Sequence, residues 1–100
     1  MNINVTCDGT KKSIALCGRL DTTAAPQLGE VIEKELQGDV KDLVIDMEEC
    51  AYVASSGLRV ILQAQKSMNR VQGNMIVRNV NETVMEVFEM TGFSDILTIE

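Results

Sequence analysis

The sequence has no histidine and no tryptophan, and only one proline, one tyrosine and two phenylalanines in 100 residues. Without histidine the commonest general base near neutral pH is missing, and so is the commonest metal ligand. A serine nucleophile activated by imidazole is therefore excluded, as is a zinc site built on histidine. Cys7, Cys17 and Cys50 are too far apart for a CxxC motif, so no metal site or dithiol redox centre is expected from them. They read instead as small buried free thiols in a reducing compartment. The glycines are scattered singly and form no phosphate-binding loop. Lys11, Lys12, Lys34, Lys41 and Lys66 read as surface residues and not as catalytic bases. Neither an enzymatic activity nor a cofactor is expected.

Long apolar runs are absent too. Nothing approaches the ~20 residues that cross a bilayer. The opening Met1-Asn2-Ile3-Asn4-Val5 alternates apolar and polar residues and lacks the basic and apolar regions of a signal peptide. No membrane insertion is expected, and the expected location is the cytoplasm. Nine basic residues face fifteen acidic ones, a net charge of −6. That balance repels phosphate backbones, so no direct nucleic-acid contact is expected, and it suits a protein partner with a basic face.

What is present is aliphatic. Hydrophobic residues make up 45% of the chain, enough for one compact core, and a single domain over residues 1–100 is expected. Ile3, Val5 and Cys7 alternate with polar neighbours, Asp8-Gly9-Thr10-Lys11 signals a turn, and strand character resumes from Ser13, predicting a hairpin of strands near 3–7 and 13–18. Thr22 or Thr23 is placed to cap a helix starting near 23, with Pro26 in its first turn and Leu28, Val31, Ile32 and Leu36 at helical spacing. Leu43-Val44-Ile45 is an unbroken apolar run, the mark of a strand buried on both faces as in a sheet covered by helices, and the strand is placed at 43–47 with a connection from Glu48 to Ala54. A second helix follows from near 56 to Gly73, a strand near 75–78, a third helix from near 82 capped by Asn81 and stopped at Gly92, and a last short strand at 96–99. The order β-β-α-β-α-β-α-β predicts an α/β fold, a mixed β-sheet with helices packed against it.

Several segments carry a family resemblance. Leu43-Val44-Ile45-Asp46 followed by Tyr52-Val53-Ala54-Ser55-Ser56-Gly57-Leu58-Arg59 resembles the strand, loop and helix start of the STAS domain, in particular the anti-sigma factor antagonist type. Gly18-Arg19-Leu20-Asp21 resembles the turn after the family's second strand. Gly73 to Val77 and Val87 to Phe93 resemble its later strand and third-helix ending, so the likeness spans essentially the whole chain. It implies a STAS-like fold and a protein-binding switch. Such a switch sequesters an anti-sigma factor that has ATP-dependent serine kinase activity, and phosphorylation of one serine turns it off. The family's phosphoacceptor falls on Ser55, and the implied partner surface is Asp21, Thr22, Tyr52, Ala54, Ser55, Ser56, Gly57, Leu58 and Arg59. Phosphorylated members usually carry Asp immediately before the serine pair, where this chain has Ala54. Two alternatives stay open: a non-phosphorylated STAS subunit or scaffold of a transport or stress-signalling complex, and a small-ligand or nucleotide sensor using a crevice near Asp21 and Ser55.

The residues have a plainer reading as well. A serine at a helix start is an ordinary N-cap, a role open to one of the two serines, Ser55 or Ser56. Gly57 allows another backbone to approach, and Leu58 reads as a core anchor. Asp21 and Asp46 read as caps of turns and helix starts. The methionines read as core gap-fillers.

Overall fold

A computed structural model describes residues 1–100. Its elements are β1 (Asn2–Asp8), β2 (Lys11–Leu20), α1 (Ala24–Glu35), β3 (Asp42–Val53), α2 (Ser55–Arg70), β4 (Asn74–Arg78), α3 (Glu82–Met90) and a 3-10 turn at Phe93–Asp95. The strands form one four-stranded sheet in the order β1-β2-β3-β4. β1 and β2 pair antiparallel across a tight turn at Gly9, whose φ of +64° suits glycine. β2 with β3 and β3 with β4 pair parallel, which makes the sheet mixed, as expected.

The two crossovers, β2-α1-β3 and β3-α2-β4, step in the same direction across the sheet. Right-handed crossovers therefore set α1 and α2 side by side on one face. The core lies between that face and the helices, with Ile14, Leu16, Leu20, Leu28, Ile45, Ile61 and Phe88 essentially inaccessible. β1 contributes through alternation: Ile3 sits opposite Leu16 and Val5 opposite Ile14, and both pack on the core.

Four expectations are corrected. First, β3 does not stop at residue 47 but runs to Val53. Its pairing with β2 slips twice, from Ala15↔Asp46 to Cys17↔Glu49 and from Gly18↔Cys50 to Arg19↔Tyr52, so β3 carries extra residues relative to its neighbour. Buried side chains then recur at Met47, Cys50 and Val53, every third residue, and the bulges erase the two-residue period by which a strand is recognised. Second, residues 96–99 form no strand. After the 3-10 turn the chain makes one parallel bridge, Val77↔Ile99, in which Val77 N–H donates to Thr98 O and Glu100 N–H to Val77 O, each at 2.9 Å.

Third, the run at Leu43 to Ile45 is in an interior strand and buried, but helices do not cover both of its faces. Leu43 and Ile45 join the core, whereas Val44 points to the other face, between Ser13 and Ile76 on the flanking strands. Fourth, only Cys50 is buried. Cys17 is exposed because alternation turns it to the face away from the helices, between Asn2 and Glu49, and Cys7 is exposed because it lies at the hairpin end, beyond the core.

The caps also differ in part. Asn81 does cap α3, its Oδ1 accepting from Val84 N–H at 2.8 Å. Neither Thr22 nor Thr23 caps α1; the Asp21 Oδ1 does so, accepting from Thr23 N–H at 3.1 Å and Ala24 N–H at 2.9 Å.

Candidate functional site

The parallel strands β2 and β3 end side by side, and the chain leaves both at the same edge of the sheet, where crevices of α/β folds form. The last rung between them is Ala54 N–H to Leu20 O at 2.9 Å. Ala54 then turns the chain with extended dihedrals (φ −86°, ψ 167°), and its carbonyl accepts the first helical bond of α2, from Leu58 N–H at 3.0 Å. Ala54 is thus the N-cap residue, and a methyl side chain caps nothing.

This overturns the expectation that a serine caps the helix. Ser55 and Ser56 are the first and second residues inside α2, past the position from which a hydroxyl reaches back to the free amides. The start of α2 has no side-chain cap at all, so the positive end of its dipole is uncompensated by protein. Ser55 is exposed. Ser56 is half-buried, and its Oγ is enclosed without a hydrogen-bond partner.

Gly57 accounts for how α2 docks. A Cβ there would lie 2.6 Å from Leu20 Cγ and 3.0 Å from Leu20 O, so the helix meets the end of β2 through the absence of a side chain. Leu58 is 3% exposed and belongs to the core. Gly57 and Leu58 therefore hold the site in place and offer nothing to a partner. Arg59, exposed, stands one helical turn beyond Ser55 on the same side of the helix.

On the strand side, Tyr52 is 37% exposed and the Arg19 guanidinium lies 4.5 Å from its ring centroid, within cation–π range. The pair arises because the second bulge sets Arg19 opposite Tyr52 across the parallel ladder. Sequence reading did not single out Arg19; the bulge that sets it over Tyr52, on the sheet face away from the helices, depends on pairing between distant segments. Thr22 is exposed and Asp21 half-buried, with its Oδ1 engaged at the start of α1. Asp46 lies within β3, away from this end of the sheet; it accepts from Glu48 N–H at 3.0 Å and from Asn79 Nδ2–H at 3.1 Å beside the first bulge.

Beneath this rim the packing is tied to α3. The Asn81 side chain caps that helix and also donates from Nδ2 to Cys50 O at 2.9 Å. Cys50 Sγ–H donates to Tyr52 O at 3.5 Å, and burial pushes the thiol above its ordinary pKa, so it is a packing group and not a nucleophile. A cavity of about 600 Å³ lies between α1 and α2, lined by residues including Ile32, Val60, Lys66, Met68 and Arg70, and neither Asp21 nor Ser55 borders it.

The site therefore presents an exposed hydroxyl at the uncapped start of a sixteen-residue helix, with exposed Arg59 one helical turn further along it. No imidazole is available to activate that hydroxyl. The arrangement suits a contact surface with a modifiable group on it.

Comparison with known proteins agrees with this geometry. An anti-sigma-B factor antagonist of Listeria monocytogenes is 31% identical over 103 residues, covering 100% of this chain and 90% of that protein. The solved structure of the anti-sigma factor antagonist SpoIIAA in its unphosphorylated form superposes with a TM-score of 0.79 at 24% identity, covering 99% of this chain and 87% of that one. The phosphorylated form of SpoIIAA, described as a Bacillus cell fate determinant, gives 0.78 at 24% identity, covering 99% and 91%. These two share the fold. The STAS domain model matches residues 2–100, so by sequence across its whole length, and by the strand and helix order found here, the chain belongs to the STAS domain family.

Proposed function

We propose that this chain, acting as a single domain in the cytoplasm, is an anti-sigma factor antagonist. In this reading it is a binding protein without catalytic activity of its own. It captures an anti-sigma factor through the rim around the start of α2, and phosphorylation of Ser55 releases that factor. The observation that carries the reading is the position of Ser55: exposed, first in α2, with no capping duty to perform. The relative from Listeria monocytogenes, which bears the antagonist's name, matches over the full chain and supports the choice of partner.

The chemistry follows from the placement. Transfer of the γ-phosphoryl group of ATP forms an ester at the Ser55 Oγ and releases ADP. In this reading the partner kinase supplies the base that takes the hydroxyl proton. The phosphate adds roughly −1.5 to −2 charge beside the positive end of α2, where a helix tolerates it. The fold is thus preserved, and bulk and charge act on the contact surface alone.

The test incubates the purified anti-sigma factor of the native host with this chain and ATP, maps phosphate by mass spectrometry and measures affinity. Phosphate on Ser55 and loss of binding are expected. Ser55→Ala should bind without being switched off. Ser55→Asp should fold normally, because a carboxylate near a helix N-terminus is worth about 0.3–1 kcal/mol, and should bind weakly. An unmodified Ser55, with Ser55→Asp bound as tightly as wild type, would replace the switch by a constitutive scaffold.

A further inference from the structure

The cavity of about 600 Å³ between α1 and α2 has no part in the surface around Ser55. Its walls are aliphatic: Ile32, Val40, Ala64 and Met68 are buried, and Leu36 and Val60 half-buried. The lining holds no aromatic ring on which a planar base could stack. It is drawn from the later turns of both helices, away from the free amides that hold phosphate at a helix start. Volume and walls together suit a flexible aliphatic chain.

The charges at the cavity set the sign of the head group. α2 contains no acidic residue, and of its three cations Lys66 and Arg70 line the cavity. Both are exposed, and the ion pairs of the protein, Lys12–Glu35 and Lys41–Asp39, include neither. They stand one turn apart on one side of the helix, where like charges repel and an anion between them relieves the repulsion. Arg70, in the last turn, also answers the negative end of the helix dipole, but Lys66 is a turn earlier and outside its reach. The remaining charged residues of the lining are Lys41, joined to Asp39 at 3.4 Å, and Glu33 on the α1 side. Three cations thus meet two carboxylates here, on a chain whose net charge is −6.

We propose that this cavity binds an aliphatic monocarboxylate of the fatty-acid type. The tail lies between the helices against Ile32, Val60 and Ala64, and the carboxylate is held by Lys66 and Arg70, whose own methylene stems extend the apolar wall. Arg70 ends the helix that Ser55 begins, roughly 22 Å away along its axis, so occupation of the cavity leaves the surface around Ser55 free. The inference therefore stands apart from the antagonist reading.

The probe is decanoate, titrated below its micellar concentration and followed by amide chemical shifts and calorimetry. Saturable one-to-one binding is expected, with a dissociation constant of about 1 mM or below, and with shifts at Val60, Ala64 and Ser67 but not at Ser55. Decyltrimethylammonium has the same tail and a cationic head. The net charge of the chain favours that cation, so its binding about 10-fold or more weaker than decanoate would report the local cations alone. Reversing both exposed cations, Lys66→Glu with Arg70→Glu, should weaken decanoate by about 10-fold or more, and Glu33→Gln should tighten it about twofold. Ser67→Trp should fill the cavity and abolish binding. The proposal is overturned if decanoate does not saturate, if the ammonium binds as tightly, or if the double variant melts like wild type and binds equally well. A concentration-dependent dimer that Ser67→Trp breaks up would assign the cavity to a second copy of the chain and overturn it too.

Discussion

Adding one methyl group at Gly57 tests how α2 is positioned. An ideal Cβ there falls 2.6 Å from Leu20 Cγ, 2.8 Å from Leu20 Cδ2 and 3.0 Å from Leu20 O, all inside contact distance. Leu20 cannot move aside easily. Its side chain is 0% exposed, and its carbonyl accepts the Ala54 N–H bond that closes the β2–β3 ladder. Forcing a methyl into such a contact costs about 1–3 kcal/mol, against which alanine recovers at most about 0.5–1 kcal/mol of helix propensity. Gly57→Ala should therefore destabilise by about 1–2 kcal/mol, lowering the melting temperature by roughly 4–8 °C per kcal/mol in a domain of this size.

Gly29 supplies the control. It too lies inside a helix, yet a Cβ there meets only Val60 Cγ2 at 3.9 Å. Gly29→Ala should stabilise by about 0.5–1 kcal/mol, the sign opposite to Gly57→Ala. Urea denaturation of both variants, with m-values unchanged, reads the difference directly. If Gly57→Ala proves as stable as Gly29→Ala, the close approach of α2 to Leu20 is wrong, and with it the placement of Ser55.

Ser56→Ala should be neutral or stabilising, by up to about 1 kcal/mol, because it removes an enclosed hydroxyl that has no partner; a loss above about 1 kcal/mol in urea denaturation would reveal a bond that this structure lacks. The Lys12 ammonium, 2.6 Å from Glu35, holds that carboxyl below its ordinary pKa of 4.5, so Glu35 contributes stability above that value and loses it as the pH falls through the lowered one. Melting temperatures of wild type and Glu35→Gln should accordingly differ at neutral pH and converge in acid, and a gap that widens in acid would contradict the assignment. In a thiol-labelling experiment Cys7 and Cys17 should react at once and Cys50 only on unfolding, since it is buried and its thiol is pushed up by that burial; three thiols modified together in the native protein would refute this.

Much of the fold was legible because it is written in local patterns. The apolar spacing of Leu28 and Ile32 and of Leu58 and Ile61, the Asn81 cap and the turn at Gly9 act over a few residues, and each element appeared where those patterns put it. The linear order of strands and helices then left a parallel segment with right-handed crossovers as the packing solution. The core place of Leu58 was legible from its apolar position in the helix.

What the chain could not reveal locally is what depends on two distant segments meeting. The extension of β3 to Val53 is invisible because its bulges replace a two-residue period by a three-residue one, and only pairing with β2 shows where the extra residues fall. The same pairing sets Arg19 over Tyr52. It also draws Ala54 into a rung with Leu20, and Ala54 is then the residue from which α2 starts. Both serines are thereby placed inside the helix instead of at its cap. Cap statistics weigh a residue type at a helix start, but the starting residue is chosen by where the last strand bond closes. That is why the sequence named the serines, while tertiary structure alone decided that one is free at the surface and the other enclosed without a partner.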